Sequence, residues 1–301
     1  MLNEFLAAIE ANPKIYKDKL HIKDKYSFGP PYAVLNLSKL DYRYFRLLLK
    51  INQADLNEFL NKISQHSNVN WVFEIVGWGN VALGFLVSDN TEISEINESI
   101  RREISDFGEI IYQSELTYLL GFGSRPLHKV CHQKLIIDSR IAKENITVEE
   151  FELLKQLSLN ASLSPEEYAS ILNTTSEEIL KLSSDLERRG IIVGYQARVK
   201  YPHKYFKIFL DTTGRSKSDI DKLIQSLWND NGCIYIERAN GKYDLGFEII
   251  TKRKSDIQKY LKKIKDFKVI EFKQNLYTNL LPVSKYLDIN ELFSIFKKEK
   301  K

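Results

Sequence analysis

The sequence predicts an α+β protein in which two ferredoxin-like βαββαβ units flank a winged helix-turn-helix. Three observations lead to this fold class: an internal repeat, a central stretch whose apolar residues follow helical spacing, and a strand-rich stretch directly after it. The 301 residues are 43% hydrophobic and 28% charged, which is the composition of a globular protein.

Three short motifs recur in the same order along the chain. The pairs are Tyr44-Phe45-Arg46 with Tyr205-Phe206-Lys207, Leu83-Gly84-Phe85 with Leu245-Gly246-Phe247, and Leu119-Leu120 with Leu280-Leu281. Their offsets are 161, 162 and 161 residues, and such a fixed period indicates a repeated structural unit. The alternative is that apolar strands resemble each other by chance.

Each copy shows strand and helix patterns in the order β-α-β-β-α-β, which is the ferredoxin-like arrangement. In the first copy, the strands are 44–51, 69–76, 81–87 and 110–120, and the helices are 56–63 and 93–104. In the second copy, the strands are 205–210, 233–238, 243–250 and 269–281, and the helices are 218–228 and 257–264. Because helices cover one face of such a sheet, the other face is expected to pack on a second copy, in the same chain or in another.

Residues 146–190 change to a helical period and contain three helix starts. The starts are marked by the N-cap Thr147, by Ser164-Pro165, and by the polar break at 173–176. Gly190 is typical of the residue after a helix end, and a strand-like run follows it. Three short helices and then a β-hairpin predict a winged helix-turn-helix, and the alternative is a generic three-helix linker domain.

This central stretch and the second αβ copy together resemble the Lrp/AsnC family of prokaryotic transcription regulators. The residues that carry the resemblance are Leu163 to Ala169, Leu186 to Tyr195, and the hairpin Gly241-Lys242-Tyr243-Asp244. The resemblance covers roughly half the chain, and residues 41–121 extend it as a second sensor-like (RAM-like) copy. It implies a protein that binds duplex DNA as a homodimer or higher oligomer and that responds to an amino acid or another small metabolite.

The resemblance assigns two sets of candidate site residues. The residues expected to contact DNA are Thr174, Thr175, Ser176, Lys181, Arg188, Arg189, Arg198 and Lys200, and Lys204 and Lys207 are expected to add positive charge to the wing. The residues expected to form an effector site are Gly241, Tyr243 and Asp244. The first copy has Gly79-Asn80-Val81-Ala82 at the corresponding hairpin and therefore lacks the acid.

The distribution of charge opposes DNA binding by the helical module itself. Residues 147–195 hold nine acidic and four basic residues, and this net charge of −5 repels phosphates. Residues 251–301 hold 14 basic and six acidic residues. The formal charge of +4 for the whole chain is therefore the sum of an acidic helical module, a basic C-terminal region and the rest of the chain. The alternative function is therefore a ligand-sensing or oligomeric scaffold protein with a degenerate helix-turn-helix.

Other classes of function are not expected from the sequence. Two cysteines form no disulfide framework, no stretch approaches the ~20 apolar residues of a membrane span, and the first residues do not resemble a secretory signal, so we expect a cytoplasmic protein. His128-x-x-Cys131-His132 lacks the further ligands of a zinc site, and we expect no metal or cofactor. Some Lrp-like proteins are enzymes that act on tetrapyrroles, but neither His66 nor His203 has an obvious acid or nucleophile beside it, so we expect no enzyme.

The predicted domain organisation follows from these patterns. The ranges are an N-terminal arm at 1–40, the first αβ domain at 41–121, a linker at 122–145, the winged helix-turn-helix at 146–200, the second αβ domain at 201–286, and a basic tail at 287–301. Because each chain holds one helix-turn-helix, a homodimer is needed to present two.

Overall fold

The computed structural model describes residues 28–88, 93–122, 134–199, 204–251 and 253–276, and within them the predicted α+β class is confirmed. The strands are β1 (Phe28–Leu35), β2 (Tyr42–Ile51), β3 (Val69–Val76), β4 (Val81–Ser88), β5 (Gly108–Gly121), β6 (Lys134–Asp138), β7 (Ile192–Val199), β8 (Lys204–Asp211), β9 (Cys233–Gly241), β10 (Leu245–Thr251) and β11 (Lys268–Leu276). The α-helices are α1 (Leu56–Ile63), α2 (Ile93–Ser105), α3 (Val148–Leu159), α4 (Pro165–Leu172), α5 (Ser176–Arg188), α6 (Lys217–Trp228) and α7 (Gln258–Lys263). Short 3-10 helices span Leu37–Leu40 and Lys254–Ile257.

Eight of these strands close into a barrel. Their order is β2-β4-β3-β11-β8-β10-β9-β5, β5 pairs back to β2, and β6 pairs with the end of β5. Two antiparallel seams, β3 with β11 and β5 with β9, join the first half of the chain to the second. The sequence leaves open whether the two copies pair within one chain, and the structure shows that they do. Closure leaves no free edge between the two halves.

Alternating side chains of each strand face either the helices or the barrel interior. On β2, Phe45, Leu47 and Leu49 pack with apolar residues of α1 and α2. Tyr44 and Leu48 belong to a different apolar cluster, which includes Phe209 and Tyr243 of the second half and extends to the helical module. In the second half, the helix-facing residues of β8 pack in the same way on α6 and α7. The interior face is thus shared by both halves.

The wing differs from the prediction. The sequence predicts a β-hairpin after α5, but β7 pairs antiparallel with β1 from the predicted N-terminal arm, and β8 is part of the barrel. The reason is hydrophobic, because Ala33 and Leu35 of β1 are buried in one cluster with Leu153 and Ile192. Strand β1 therefore completes the core of the helical module.

The predicted linker, residues 122–145, contains a strand. Lys134–Asp138 forms β6 against the end of β5. The backbone N–H of Asp138 donates to Ser38 Oγ at 2.9 Å, and Arg140 donates to both carboxylate oxygens of Asp138, at 2.8 and 2.7 Å. Residues 134–140 of the predicted linker are therefore tied into the sheet.

The glycines of the second repeated motif have a steric role inside the barrel. Gly84 pairs in register with Trp71 of the neighbouring strand, and Gly246 pairs with Glu237. A Cβ atom added to Gly84 would meet the Trp71 indole, and one added to Gly246 would lie 2.7 Å from Glu237 Oε1. In each half, the glycine therefore leaves space for the large side chain of the residue opposite it on the neighbouring strand.

We expect Gly246→Ala to lower the free energy of unfolding by about 1–3 kcal/mol, because Glu237 is held by other contacts and cannot move aside. Urea unfolding measures this change. Gly121→Ala is the matched control, since its Cβ would lie 3.1 Å from the ring of Tyr235, a partly buried side chain that can shift. An equal or smaller loss for Gly246→Ala than for Gly121→Ala would contradict the steric role.

Candidate functional site

The three helices of the central module begin as predicted. Thr147 and Ser164 each form a capping box, with Glu150 and Glu167 respectively. Thr175 caps α5 by accepting a hydrogen bond from the backbone N–H of Glu178 at 3.2 Å. Caps satisfy backbone N–H groups that a helix leaves free at its start. The module is therefore well defined locally, and α5 presents an exposed outer face.

The predicted hydroxyl contacts to DNA lie together at the N-terminus of α5. Thr174 Oγ1 donates to the carboxylate of Glu178, and Thr175 caps the helix. Ser176 is the first residue of α5. Two of these three side chains thus already contact groups of their own helix, and Glu177 and Glu178 add negative charge to the same turn.

The basic residues predicted to contact DNA differ in their exposure and in their ion pairs. Lys181 is exposed on α5. Arg188 is exposed and pairs with Asp185. Arg189 is only 17% exposed, and its Nη1 lies 2.6 Å from Glu150 Oε1 and 3.1 Å from Asp185 Oδ2. Arg189 therefore joins the end of α5 to α3.

The basic residues of the predicted wing are not placed together. Arg198 lies on β7, but its side chain, the side chain of Lys204 and the whole of Lys200 lie outside the described residues. Lys207 is buried in the barrel, 2.6 Å from Glu237 Oε2. The expectation that Lys207 adds charge to the wing is therefore corrected: β8 turns its side chain toward the barrel interior.

Glu237 is the centre of a buried ionic network inside the barrel. Its Oε1 accepts hydrogen bonds from Arg46 Nη1 and, at 2.9 Å, from the hydroxyl of Tyr243. Its Oε2 accepts from Lys207 Nζ at 2.6 Å, and Lys207 also lies 3.8 Å from Glu248. Burial by itself would raise the pKa of Glu237, but Arg46 and Lys207 outweigh this and lower it to about 2.

The three predicted effector residues make different contacts. Tyr243 is buried in the network around Glu237. Asp244 accepts hydrogen bonds from the backbone N–H of Thr212, at 2.9 Å, and from its hydroxyl. Gly241 lies in the seam between β9 and β5 with a φ of 150°. Asp244 thus stabilises a loop, whereas Tyr243 faces the barrel interior.

A second buried polar group lies on β11 near one end of the barrel. The hydroxyl of Tyr112 donates to Glu271 Oε2 at 2.6 Å. Lys273, two residues along β11, is buried directly opposite Lys207. The pKa of Lys273 is lowered to about 7: burial is the main cause, Glu271 opposes it, and Arg46 and Lys207 add to the lowering.

Sequence reasoning missed most of this interior network. Arg46 and Lys207 occupy equivalent positions of the first repeated motif. The repeat therefore identifies them as related residues, but it does not indicate that they are buried. On β11, Glu271 and Lys273 are buried whereas Phe272 between them is 37% exposed, so a pattern of apolar residues facing inward would have predicted the opposite orientation. A charged side chain on an inward position requires a partner on another strand.

In the part of the chain that the structure describes, no group of three or more His, Cys, Asp or Glu residues is suited to hold a metal ion. His128, Cys131 and His132 lie outside those residues. His66 Nε2 lies 3.2 Å from Ser99 Oγ, and its Nδ1 accepts from the backbone N–H of Asn68. None of the described helices is long and apolar enough to span a membrane.

No protein-family model matches the chain. An uncharacterized HTH-type transcriptional regulator of Pyrococcus abyssi (strain GE5 / Orsay) is 25% identical over 132 residues, which cover 40% of this chain and 86% of that protein. The chain is similar to regulators of the Lrp/AsnC kind. The structure of B. subtilis LrpC matches 45% of this chain and 97% of LrpC, with 13% identity and a TM-score of 0.39.

The crystal structure of siroheme decarboxylase NirDL with an iron-uroporphyrin III analogue matches almost the whole of this chain. It covers 97% of this chain and 89% of NirDL, with 15% identity and a TM-score of 0.59. Another NirDL structure matches 93% of this chain with a TM-score of 0.60. Identity at this level shows a shared fold. Because that fold belongs to an enzyme, the prediction that this chain is not an enzyme is wrong.

We expect Lys273→Met to raise the free energy of unfolding at pH 7 by about 1–3 kcal/mol, because the folded chain no longer buries an amine beside two cations. The pKa of Lys273 is lowered from 10.5 to about 7 on folding, so between these values the unfolded chain binds more protons and wild-type stability rises with pH. The gain is therefore expected to shrink as the pH approaches 10.

Urea unfolding at several pH values measures this difference. Lys207→Met is the matched control, since it removes a partner of Glu237 and is expected to lower stability at pH 7. A gain for Lys273→Met that stays constant between pH 7 and 10, or a loss at pH 7, would contradict the placement of Lys273.

Proposed function

We propose that this chain is a DNA-binding transcription regulator of the Lrp/AsnC kind, in which two ferredoxin-like units flank one winged helix-turn-helix. The observation that carries the proposal is a packed three-helix module with an exposed helix α5, in a chain that aligns with 86% of an HTH-type transcriptional regulator. A homodimer would present two such helices to duplex DNA, as the two-fold symmetry of paired half-sites requires.

In the proposed complex, few groups of the helical module are available to bind DNA phosphates. The N-terminus of α5 with Thr175 and Ser176 offers backbone N–H groups and hydroxyls, as helix starts do for anions. Lys181 is the exposed lysine on α5, whereas Arg188 has Asp185 beside it. The remaining positive charge has to come from the chain around Arg198 and Lys200. The αβ units with Gly241, Tyr243 and Asp244 would sense an amino acid or another small metabolite.

The proposal predicts duplex binding that weakens by at least about tenfold between ~50 and ~200 mM salt, because bound phosphates release counterions. Fluorescence anisotropy with DNA fragments selected from a genomic library measures this. Lys181→Ala is expected to weaken binding and to reduce the salt dependence. Lys155→Ala is the matched control, because Lys155 lies on α3 beside Glu152.

Absence of DNA binding at both salt concentrations would contradict the proposal. It would favour the alternative of a ligand-sensing or oligomeric scaffold protein with a degenerate helix-turn-helix. An equal effect of Lys181→Ala and Lys155→Ala would contradict the assignment of α5 as the recognition helix.

A second candidate function is chemistry on a tetrapyrrole, and the observation that favours it is the likeness to siroheme decarboxylase NirDL over 97% of the chain. If it holds, titration with iron-uroporphyrin III changes the Soret band, and anaerobic incubation with siroheme yields a product lighter by CO2, detected by mass spectrometry. Heat-denatured protein is the control. An unchanged spectrum and an unchanged mass would contradict this function.

A further inference from the structure

We propose that one end of the barrel is a binding site for a primary amine, whose ammonium group displaces the Lys242 side chain from between Trp78 and Tyr112 and, being untethered, lies deeper than Lys242 Nζ and bonds to Glu271. We call these three residues, Trp78, Tyr112 and Glu271, the ammonium cage. The inference names a ligand class for the metabolite response and rests on the proposed regulator only for that response.

Two aromatic rings of the cage already hold a primary ammonium group. Lys242 Nζ lies 4.8 Å from the centroid of the Trp78 ring and 5.6 Å from that of Tyr112. Both distances are within the ~6 Å over which a cation is attracted to an aromatic face. Lys242 is exposed, so solvent reaches its ammonium group. The position therefore suits a primary ammonium that arrives from solution.

Trp78 is 58% exposed at the turn between β3 and β4. Gly77 and Gly79 on either side bring this turn close to the barrel: a Cβ at Gly77 would lie 3.1 Å from Glu271 Oε1, and one at Gly79 would meet Leu49 O. An exposed indole offers a ligand a large apolar face together with a polar N–H group.

Glu271 supplies the second, independent observation. It is only 2% exposed, and Tyr112 donates to its Oε2 at 2.6 Å. Its Oε1 is buried and has no hydrogen-bond partner among the described residues. Because Oε1 lies toward Gly77, it faces the same turn that carries Trp78. A buried carboxylate oxygen without a donor is unfavourable, and an N–H donor from a ligand satisfies it.

The surrounding charges select the ligand. Lys273 lies two residues from Glu271 on β11 and is buried opposite Lys207, so a second positive charge on the ligand would meet these amines beyond Glu271. A displaced Lys242 ammonium is available at the rim for a negative group. A ligand with one ammonium group, and either an apolar or a carboxylate remainder, fits these charges.

Lys242 competes with any such ligand because it is tethered at the site. An attached group acts at an effective concentration on the order of millimolar, so the wild-type protein is expected to bind a simple amine weakly. Removal of the tethered ammonium opens the cage. We therefore expect Lys242→Ala to bind ethylamine at least about tenfold more tightly than the wild type.

The experiment is a calorimetric titration of the full chain with ethylamine at pH 7 and constant ionic strength, followed also by tryptophan fluorescence. Adding Trp78→Ala or Glu271→Gln to Lys242→Ala is expected to weaken binding by about fivefold or more. Trp78 is exposed, so its variant tests the cage even if Glu271→Gln fails to fold. Lys259→Ala is the matched control, since Lys259 lies 4.5 Å from the Tyr260 ring but also contacts Asp230.

A titration of the wild type, which keeps the Lys242 ammonium at the rim, with ethylamine and with L-alanine distinguishes the two sources of a primary ammonium. Tighter binding of L-alanine than of ethylamine assigns an amino acid, and equal or weaker binding assigns a simple amine, and both results support the site. No amine binding by Lys242→Ala, or binding that Trp78→Ala leaves unchanged, overturns it. The titrations contain no DNA, so failure of the proposed DNA contact and failure of the ammonium cage are separate results.

Discussion

The ion pair between Arg46 and Glu237 joins the two halves of the chain inside the barrel. Arg46 comes from β2 of the first half and Glu237 from β9 of the second, and both are buried. A carboxylate inside a protein requires partners that replace its water, and here Arg46, Lys207 and Tyr243 supply them. These contacts hold β2, β8 and β9 together, because separating any one of these strands from the others would leave a buried charge without its partner.

Two halves with the same element order are chemically unequal inside this barrel. Its buried carboxylates, Glu237, Glu248 and Glu271, all come from the second half, whereas the first half supplies Arg46 and Tyr112. In a barrel built from two identical chains, every interior residue would occur twice. Covalent connection removes that constraint, since each half can change independently. The charged interior and the end of the barrel with Trp78 and Lys242 depend on this asymmetry.

The helical module depends on a distant part of the chain as well. Its last strand, β7, pairs with β1, and β1 contributes apolar residues to the core beneath α3. Arg189 holds the end of α5 through Glu150 and Asp185, so a base that sequence reasoning assigned to DNA also stabilises the module. In the proposed DNA complex, the acidic surface and internally bonded hydroxyls of α5 mean that phosphates have to be bound by Lys181 and by the chain that follows β7.

Local features of the sequence determined the helices and the order of the strands. Thr147 and Ser164 predict helix starts because a capping box involves residues only three positions apart. The repeat predicts two related halves because it is a comparison along the chain, although Leu280 and Leu281 of its third motif lie outside the described residues. The candidate site was predicted less well, since Tyr243 was named but its partners were not.

Only the tertiary structure decided how the halves meet. The pairing of β1 with β7, the strand β6 in the predicted linker, and the burial of Lys207 all depend on residues far apart in sequence. An alternating pattern shows which side chains of a strand share one face of the sheet. It does not show which elements pack against that face. Arg46 and Glu237 are 191 residues apart, and their contact exists only because the barrel closes.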